Sequence, residues 1–238
     1  MRRRGLSVAL IGADGSGKTT LARHLSHKLP GATLYLYFGI NPEASETLLP
    51  TTRFVRAMRR ARGVAAARGG PRQFRSTASL ERERPSFSAA SLALARRWVR
   101  LLNQLFEEWY RQVCERRARS RGAIVILDRH FFFDYYAHDM TDRFGRRSLL
   151  RRLHGWFLSL LSLPDLVILL DAPPHVLYER KPEGRPADVA RRREEYIEIS
   201  EAFSLVRRVD AARALEEVEA DVIRLISNEI SRRNRDHA

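Results

Sequence analysis

The segment Gly12-Ala13-Asp14-Gly15-Ser16-Gly17-Lys18-Thr19 places glycines, one lysine and one hydroxyl at the spacing G-x-x-x-x-G-K-[ST]. Glycines at those positions let the chain turn so that successive backbone N–H groups converge on phosphate oxygens, and the positive end of the following helix adds to the cradle. Lys18 is positioned to reach the β- and γ-phosphates of a nucleoside triphosphate and to follow the charge as a phosphoryl group leaves. The Thr19 hydroxyl is a ligand for Mg²⁺, and Thr20 begins the packing of the helix. Gly12, Asp14, Gly15, Ser16, Gly17, Lys18, Thr19 and Thr20 therefore form the expected ATP site, with Mg²⁺ as its companion.

A second constellation is Asp128-Arg129. The carboxylate ends an apolar run and can hold the metal through water, while a guanidinium next to it can clamp an acceptor phosphate in a bidentate manner that lysine cannot reproduce. Asp171 ends another apolar run and is the second candidate for the metal-side acid.

Position depends on the elements that carry these residues. Leu6–Ile11, Ala123–Asp128 and Leu166–Asp171 are short aliphatic runs that stop at a glycine or an acid, the pattern of parallel strands buried on both faces. Thr33–Phe38 and Val206–Asp210 read as two further strands, with helical periods between them. Strands alternating with helices imply an open α/β sheet covered on both faces, and its carboxyl edge is where such folds bind ligands. Asp128 should end a strand that neighbours the first.

The interval 41–121 is too long for a simple crossover. Leu92, Ala95, Val99, Leu102, Leu105, Phe106, Trp109 and Val113 make one helical face within it, read as an insertion beside the sheet. Gly69 to Pro85 is the expected loop.

The formal charge is +15 and lysine occurs only at 18, 28 and 181, so arginine carries the excess. Such a charge suits anionic partners without choosing one. Arg53, Arg56, Arg59, Arg60 and Arg62 around Phe54, Val55 and Met58, and the amphipathic stretch Arg146 to Leu163, are the segments that suit a membrane surface or nucleic acid. One cysteine, Cys114, excludes an internal disulfide framework and fits a reducing cytoplasm.

The loop Gly12 to Thr20 with its acid at Asp14, the run Asp128-Arg129-His130, and Leu163 to Asp171 followed by Glu179-Arg180-Lys181 and Arg185 resemble the thymidylate kinase family of nucleoside monophosphate kinases. Arg193-Glu194-Glu195-Tyr196 is similar to the segment that follows the lid in that family. The resemblance implies a P-loop NTPase three-layer sandwich with a central, mainly parallel sheet of about five strands. It implies one domain over 1–238, a helical insertion at 41–121 and a short lid at 178–193. Asp14 would contact the acceptor sugar hydroxyl, Arg129 the acceptor phosphate, and a lid arginine the transferring phosphoryl group, with Arg185 and Arg180 ahead of Arg191. The family's dimers imply a homodimer.

The implied activity is transfer of the γ-phosphoryl group of MgATP to a nucleoside monophosphate, with dTMP as the first acceptor to try. A sugar or glycan precursor is the alternative acceptor, because the departures from the family lie on that side. Tyr37-Phe38-Gly39-Ile40-Asn41-Pro42 stands where the family has an Arg-Glu-Pro-Gly-like turn, and Phe131-Phe132-Phe133-Asp134-Tyr135-Tyr136 where it has a serine and a tyrosine-glutamine pair. An ATP-binding module on a membrane or nucleic acid is a third reading. His130 and His138 receive no catalytic role, and Phe132 and Tyr136 are read as core.

Overall fold

The computed structural model of the chain describes residues 5–39, 87–135 and 160–236, with positions 49, 52, 57–58 and 156–157. Five strands form the sheet: β1 (Ser7–Ile11), β2 (Thr33–Tyr37), β3 (Ile124–Asp128), β4 (Leu166–Asp171) and β5 (Val206–Asp210). All pairings are parallel, in the order β2-β3-β1-β4-β5. Every residue of β1 and β4 is buried, as continuous aliphatic runs require when both faces of a sheet are covered. The expected neighbour relation holds: Leu10 of β1 pairs with Asp128 of β3. That register brings Gly12, Asp128 and Asp171 to one carboxyl edge.

Helix α1 (Lys18–Lys28) follows β1 and buries Leu21, Ala22 and Leu25. Thr20 is exposed, so packing begins one residue later than the sequence suggests. A 34-residue helix, α2 (Phe87–Ser120), leads into β3, and the short α3 (Phe131–Tyr135) follows that strand. After β4 come α4 (Pro174–Arg180) and α5 (Pro186–Ala202), and α6 (Leu215–Asp236) closes the chain. Right-handed crossovers and the packing of each helix put α1 and α6 on one face and α2 and α5 on the other, giving three layers.

The helical face assigned in the insertion does not pack as expected. Leu105 is buried, but Val99, Leu102, Phe106, Trp109 and Val113 are exposed, while Glu107, Glu108, Arg111, Gln112, Glu115 and Arg119 are buried. α2 thus meets the rest of the molecule through paired charges. Arg111 donates to the Gly39 carbonyl at 2.9 Å. Arg119 donates to Glu115 and to Asp165, both at 3.0 Å. Asp165 also accepts from the Ser7 backbone N–H at 2.8 Å and pairs with Arg233 of α6 at 2.5 Å, so one carboxylate joins both helical layers at the amino edge of the sheet.

The arginine stripe 53–62, apart from Ala57 and Met58, the loop Gly69–Pro85, and Tyr136 and His138 lie outside the described residues, as does most of 146–163. Among the described residues no helix is long and apolar enough to cross a membrane.

Candidate active site

The loop between β1 and α1 is shaped by its glycines. Gly12 has φ 141° and Gly15 φ 86°. A Cβ at Gly12 would lie 2.5 Å from the Leu170 carbonyl oxygen and one at Gly15 2.2 Å from that of Leu177, so no side chain fits at either position. Lys18 opens α1 and is buried; its Nζ donates to the carbonyls of Gly12 (2.8 Å) and Ala13 (2.7 Å) and to Ser16 Oγ (3.2 Å). Burial, and then the neighbouring Arg129 charge, pull its pKa down to about 7. An ammonium held this way is under-solvated and receptive to an anion. Thr19, the next residue, is exposed at the mouth of the loop.

Asp128 is fully buried at the end of β3. Its Oδ2 accepts from Tyr35 Oη at 2.9 Å, while Oδ1 has no hydrogen-bond partner. A buried, half-satisfied carboxylate beside a phosphate-binding loop fits a magnesium ion reached through water. Arg129 adopts φ 70°, the one non-glycine residue with positive φ among those described, and its backbone N–H donates to the Leu10 carbonyl at 3.0 Å. That turn sends the guanidinium back over the loop, where it donates to Asp14 Oδ1 at 2.6 Å.

Asp14 gathers cations from three elements. Besides Arg129 it takes Arg192 of α5 at 3.3 Å and faces Lys181 at 3.7 Å. Burial opposes its ionisation, but Arg129, Lys18 and Lys181 together hold the carboxyl well below the usual range. Arg129 is likewise partly desolvated, yet Asp134 and then Asp14 hold it firmly charged.

No protein-family model matches the chain. A protein of Pyrococcus horikoshii described as a probable thymidylate kinase is 24% identical over 238 residues, covering 95% of this chain and 98% of its own. Another of the same description from Thermococcus gammatolerans is 29% identical over 125 residues, 48% of this chain and 55% of its own. The chain is thus similar to probable thymidylate kinases, to one of them over nearly its whole length. Its fold agrees with that of a solved thymidylate kinase from Candida albicans, with TM-score 0.58 and 20% identity over 99% of this chain and 94% of that one. The sheet and flanking helices are those of the P-loop NTPase fold.

The three arginines foreseen as lid cations, Arg180, Arg185 and Arg191, have other partners than the loop. Arg180 donates to the carbonyls of Ala211 (2.7 Å) and Ala212 (3.3 Å), which ties α4 to the segment after β5. Arg185 is exposed and paired with Asp188 at 3.1 Å. Arg191 is exposed and paired with Glu195 at 2.7 Å. Arg192, one position further, is the arginine of α5 that reaches Asp14. Three consecutive arginines share one composition, and only the 100° step of the helix separates them; the phase is set by Val189, Tyr196 and Ile199, which turn inward.

Asp171, the second candidate for the metal-side acid, is held by two arginines. Both its oxygens are committed, to Arg193 at 2.7 and 2.9 Å and to Arg208 at 2.5 Å. It fastens α5 to β4 and β5.

His130 is 1% exposed among Phe38, Phe131 and Phe133, with ring centroids 5.7, 4.7 and 5.5 Å away. Its Nδ1 has no hydrogen-bond partner. Burial pushes its pKa down to about 3. The folded state therefore holds the ring neutral while the unfolded chain binds a proton below about 6.5. This contribution is complete above that pH and is lost as pH falls toward the folded value, at up to about 1.4 kcal/mol per pH unit. Urea titrations between pH 7 and 4 should show a weaker decline for His130→Phe than for the parent protein.

Proposed function

We propose that the protein transfers the γ-phosphoryl group of MgATP to a nucleoside monophosphate, dTMP first among acceptors. The observation that carries this reading is the placement of Arg129 beside Asp14, because it brings an anion clamp from β3 to the far side of the phosphate loop. The two probable thymidylate kinases support dTMP as that acceptor.

In this reading Gly12, Ala13, Gly15, Ser16 and Gly17 cradle the triphosphate with their backbone N–H groups, and Lys18 exchanges its carbonyl partners for phosphate oxygens. Thr19 and Asp128 hold magnesium, with Tyr35 fixing the Asp128 carboxylate. Bound there, MgATP supplies the phosphoryl group and a cation that screens its charge. Arg129 orients the acceptor phosphate, and Asp14 accepts a hydrogen bond from the acceptor sugar. Residues 178–193 act as the lid, excluding water when nucleotides are bound. Catalysis is positioning and charge neutralisation, with no covalent intermediate on the protein.

Arg192 is the lid-side cation closest to the loop. Arg192→Ala should lower kcat roughly 100-fold, as expected for losing a donor aimed at transition-state charge. Arg185→Ala, removing an exposed pair with Asp188, should change it by less than about fivefold.

The test of the function is release of ADP from MgATP above the rate without acceptor, across nucleoside monophosphates, nucleosides and sugars. Stimulation by dTMP supports the reading. Stimulation by an unphosphorylated sugar alone, or by none of the panel, sinks it.

The exposed face of α2 supports a pairing of two copies. Val99, Leu102, Phe106, Trp109 and Val113 recur at intervals of three and four, nearly symmetric about Phe106. An antiparallel partner would set Phe106 on Phe106, Leu102 on Trp109 and Val99 on Val113, the self-complementary arrangement a two-fold contact needs. Sedimentation velocity should report a dimer that Phe106→Glu converts to monomer; a monomeric parent protein rules the pairing out.

A further inference from the structure

β2 carries two tyrosines, Tyr35 and Tyr37, one pleat apart on the same face of the sheet. The first is committed: its hydroxyl donates to Asp128 Oδ2 at 2.9 Å. The second stands about 7 Å further along the strand, at the carboxyl edge. There it is the register partner of Asp128, the residue before Arg129. Among the described residues the Tyr37 hydroxyl has no hydrogen-bond partner. Tyr37 is half-buried, and burial raises its pKa above the ordinary value, so the group is an O–H donor at neutral pH.

Gly39 determines where that donor lies. A Cβ added at Gly39 would fall 2.4 Å from Tyr37 Oη, 2.6 Å from Tyr37 Cζ and 2.7 Å from Arg129 Cδ. The tip of the tyrosine and the stem of the arginine therefore close on one point over the bare face of a glycine. The requirement is for room and not for an unusual backbone, since Gly39 does not have positive φ. The segment is also fixed. The Phe38 backbone N–H donates to the Asp128 carbonyl at 2.9 Å, and the Gly39 carbonyl accepts from the buried Arg111 at 2.9 Å.

We propose that Tyr37 binds the acceptor phosphate beside Arg129, its hydroxyl supplying a neutral donor that the missing side chain of Gly39 allows to sit against the arginine stem. The inference rests on reading Arg129 as the clamp for an acceptor that carries phosphate. A guanidinium holds a phosphate through two of its terminal oxygens. A hydroxyl can add a bond to one of those same two, and the third is left to face the γ-phosphoryl group. Being neutral, it adds direction without drawing further charge from the attacking oxygen. An unphosphorylated sugar gains nothing from the pair, so the pair selects for acceptors that carry phosphate.

The test uses the full chain and calorimetric binding of dTMP, of thymidine, and of an ATP analogue whose γ-phosphate cannot be transferred. Tyr37→Phe removes the hydroxyl alone. It should weaken dTMP roughly tenfold and leave the ATP analogue within about twofold. Thymidine, the same acceptor without its phosphate, should bind the variant as it binds the parent. Unchanged dTMP binding would overturn the proposal, and so would equal weakening of dTMP and thymidine, which would place the hydroxyl away from the phosphate. Should thymidine bind neither protein measurably, the dTMP and analogue constants decide alone. Gly39→Ala should weaken dTMP at least as much as Tyr37→Phe, because the new methyl group displaces both Tyr37 and Arg129. Thermal melting checks that this variant is folded, and parent-like dTMP binding by it would overturn the role given to Gly39. Should Gly39→Ala not fold, Tyr37→Phe decides alone. If the parent binds dTMP and Tyr37→Phe binds it as tightly, the proposal fails and the functional reading stands. If the parent binds no nucleoside monophosphate, both fail.

Discussion

Lys18→Ala is expected to reduce turnover with every acceptor by at least about 10³-fold, some 4 kcal/mol of transition-state stabilisation. The side chain is buried and donates to Gly12, Ala13 and Ser16, so its ammonium is already at the floor of the loop, where phosphate oxygens would take over those bonds. No other lysine can substitute. Lys28 pairs with Glu219 of α6 at 2.8 Å, away from the loop, and Lys181 lies between Asp14 and Glu183 at 3.7 and 3.3 Å. Lys18→Arg should not rescue, because a planar guanidinium needs more room than the carbonyl cage provides. ADP release under saturating MgATP measures the effect, and thermal melting checks that the protein is folded. A Lys18→Ala protein with full activity would falsify the phosphotransfer reading.

The second large effect is expected at Arg129. Arg129→Ala should lower kcat/KM for dTMP roughly 10²- to 10³-fold and disturb KM for ATP far less. Loss of the clamp is only part of it. Without the guanidinium, Asp14 presents an unscreened carboxylate to an incoming dianion, so attraction is replaced by repulsion. Arg129→Lys should recover a minor fraction, since a point charge cannot bind phosphate in two places. Initial rates with each substrate varied in turn separate the two constants. Equal losses for ATP and dTMP would assign Arg129 to the donor side instead.

The donor half of the site was legible because its signals are local. Gly12 to Thr19 is contiguous, and the runs that became β1, β3 and β4 are almost wholly aliphatic and stop at a glycine or an acid, the pattern of short strands buried on both faces. Asp128 could be placed beside the loop because parallel neighbours end together at one edge. What was not legible depends on contacts across long separations. Tyr196 meets Asp134 over 62 residues and Arg208 meets Asp171 over 37, and nothing near either residue announces the partner. The choice of Arg192 over Arg191 is a matter of helical phase within a run of arginines. The orientation of α2 defeated a general rule: an apolar stripe normally faces inward, and here the charged stripe does.

That inverted helix has a mechanical consequence. An apolar interface can slide by a fraction of a turn and exchange one greasy contact for another, whereas a row of buried charges tolerates no such vernier. Arg119 is locked to Asp165 at the amino edge of the sheet, and Arg111, eight residues earlier, is locked to the Gly39 carbonyl just past β2. Eight residues of helix measure about 12 Å. Displacing α2 by one residue would strand both guanidinium groups in the interior at once. The helix therefore behaves as a ruler: the distance between its two locks dictates where the chain leaves β2, and so where the acceptor side of the site begins.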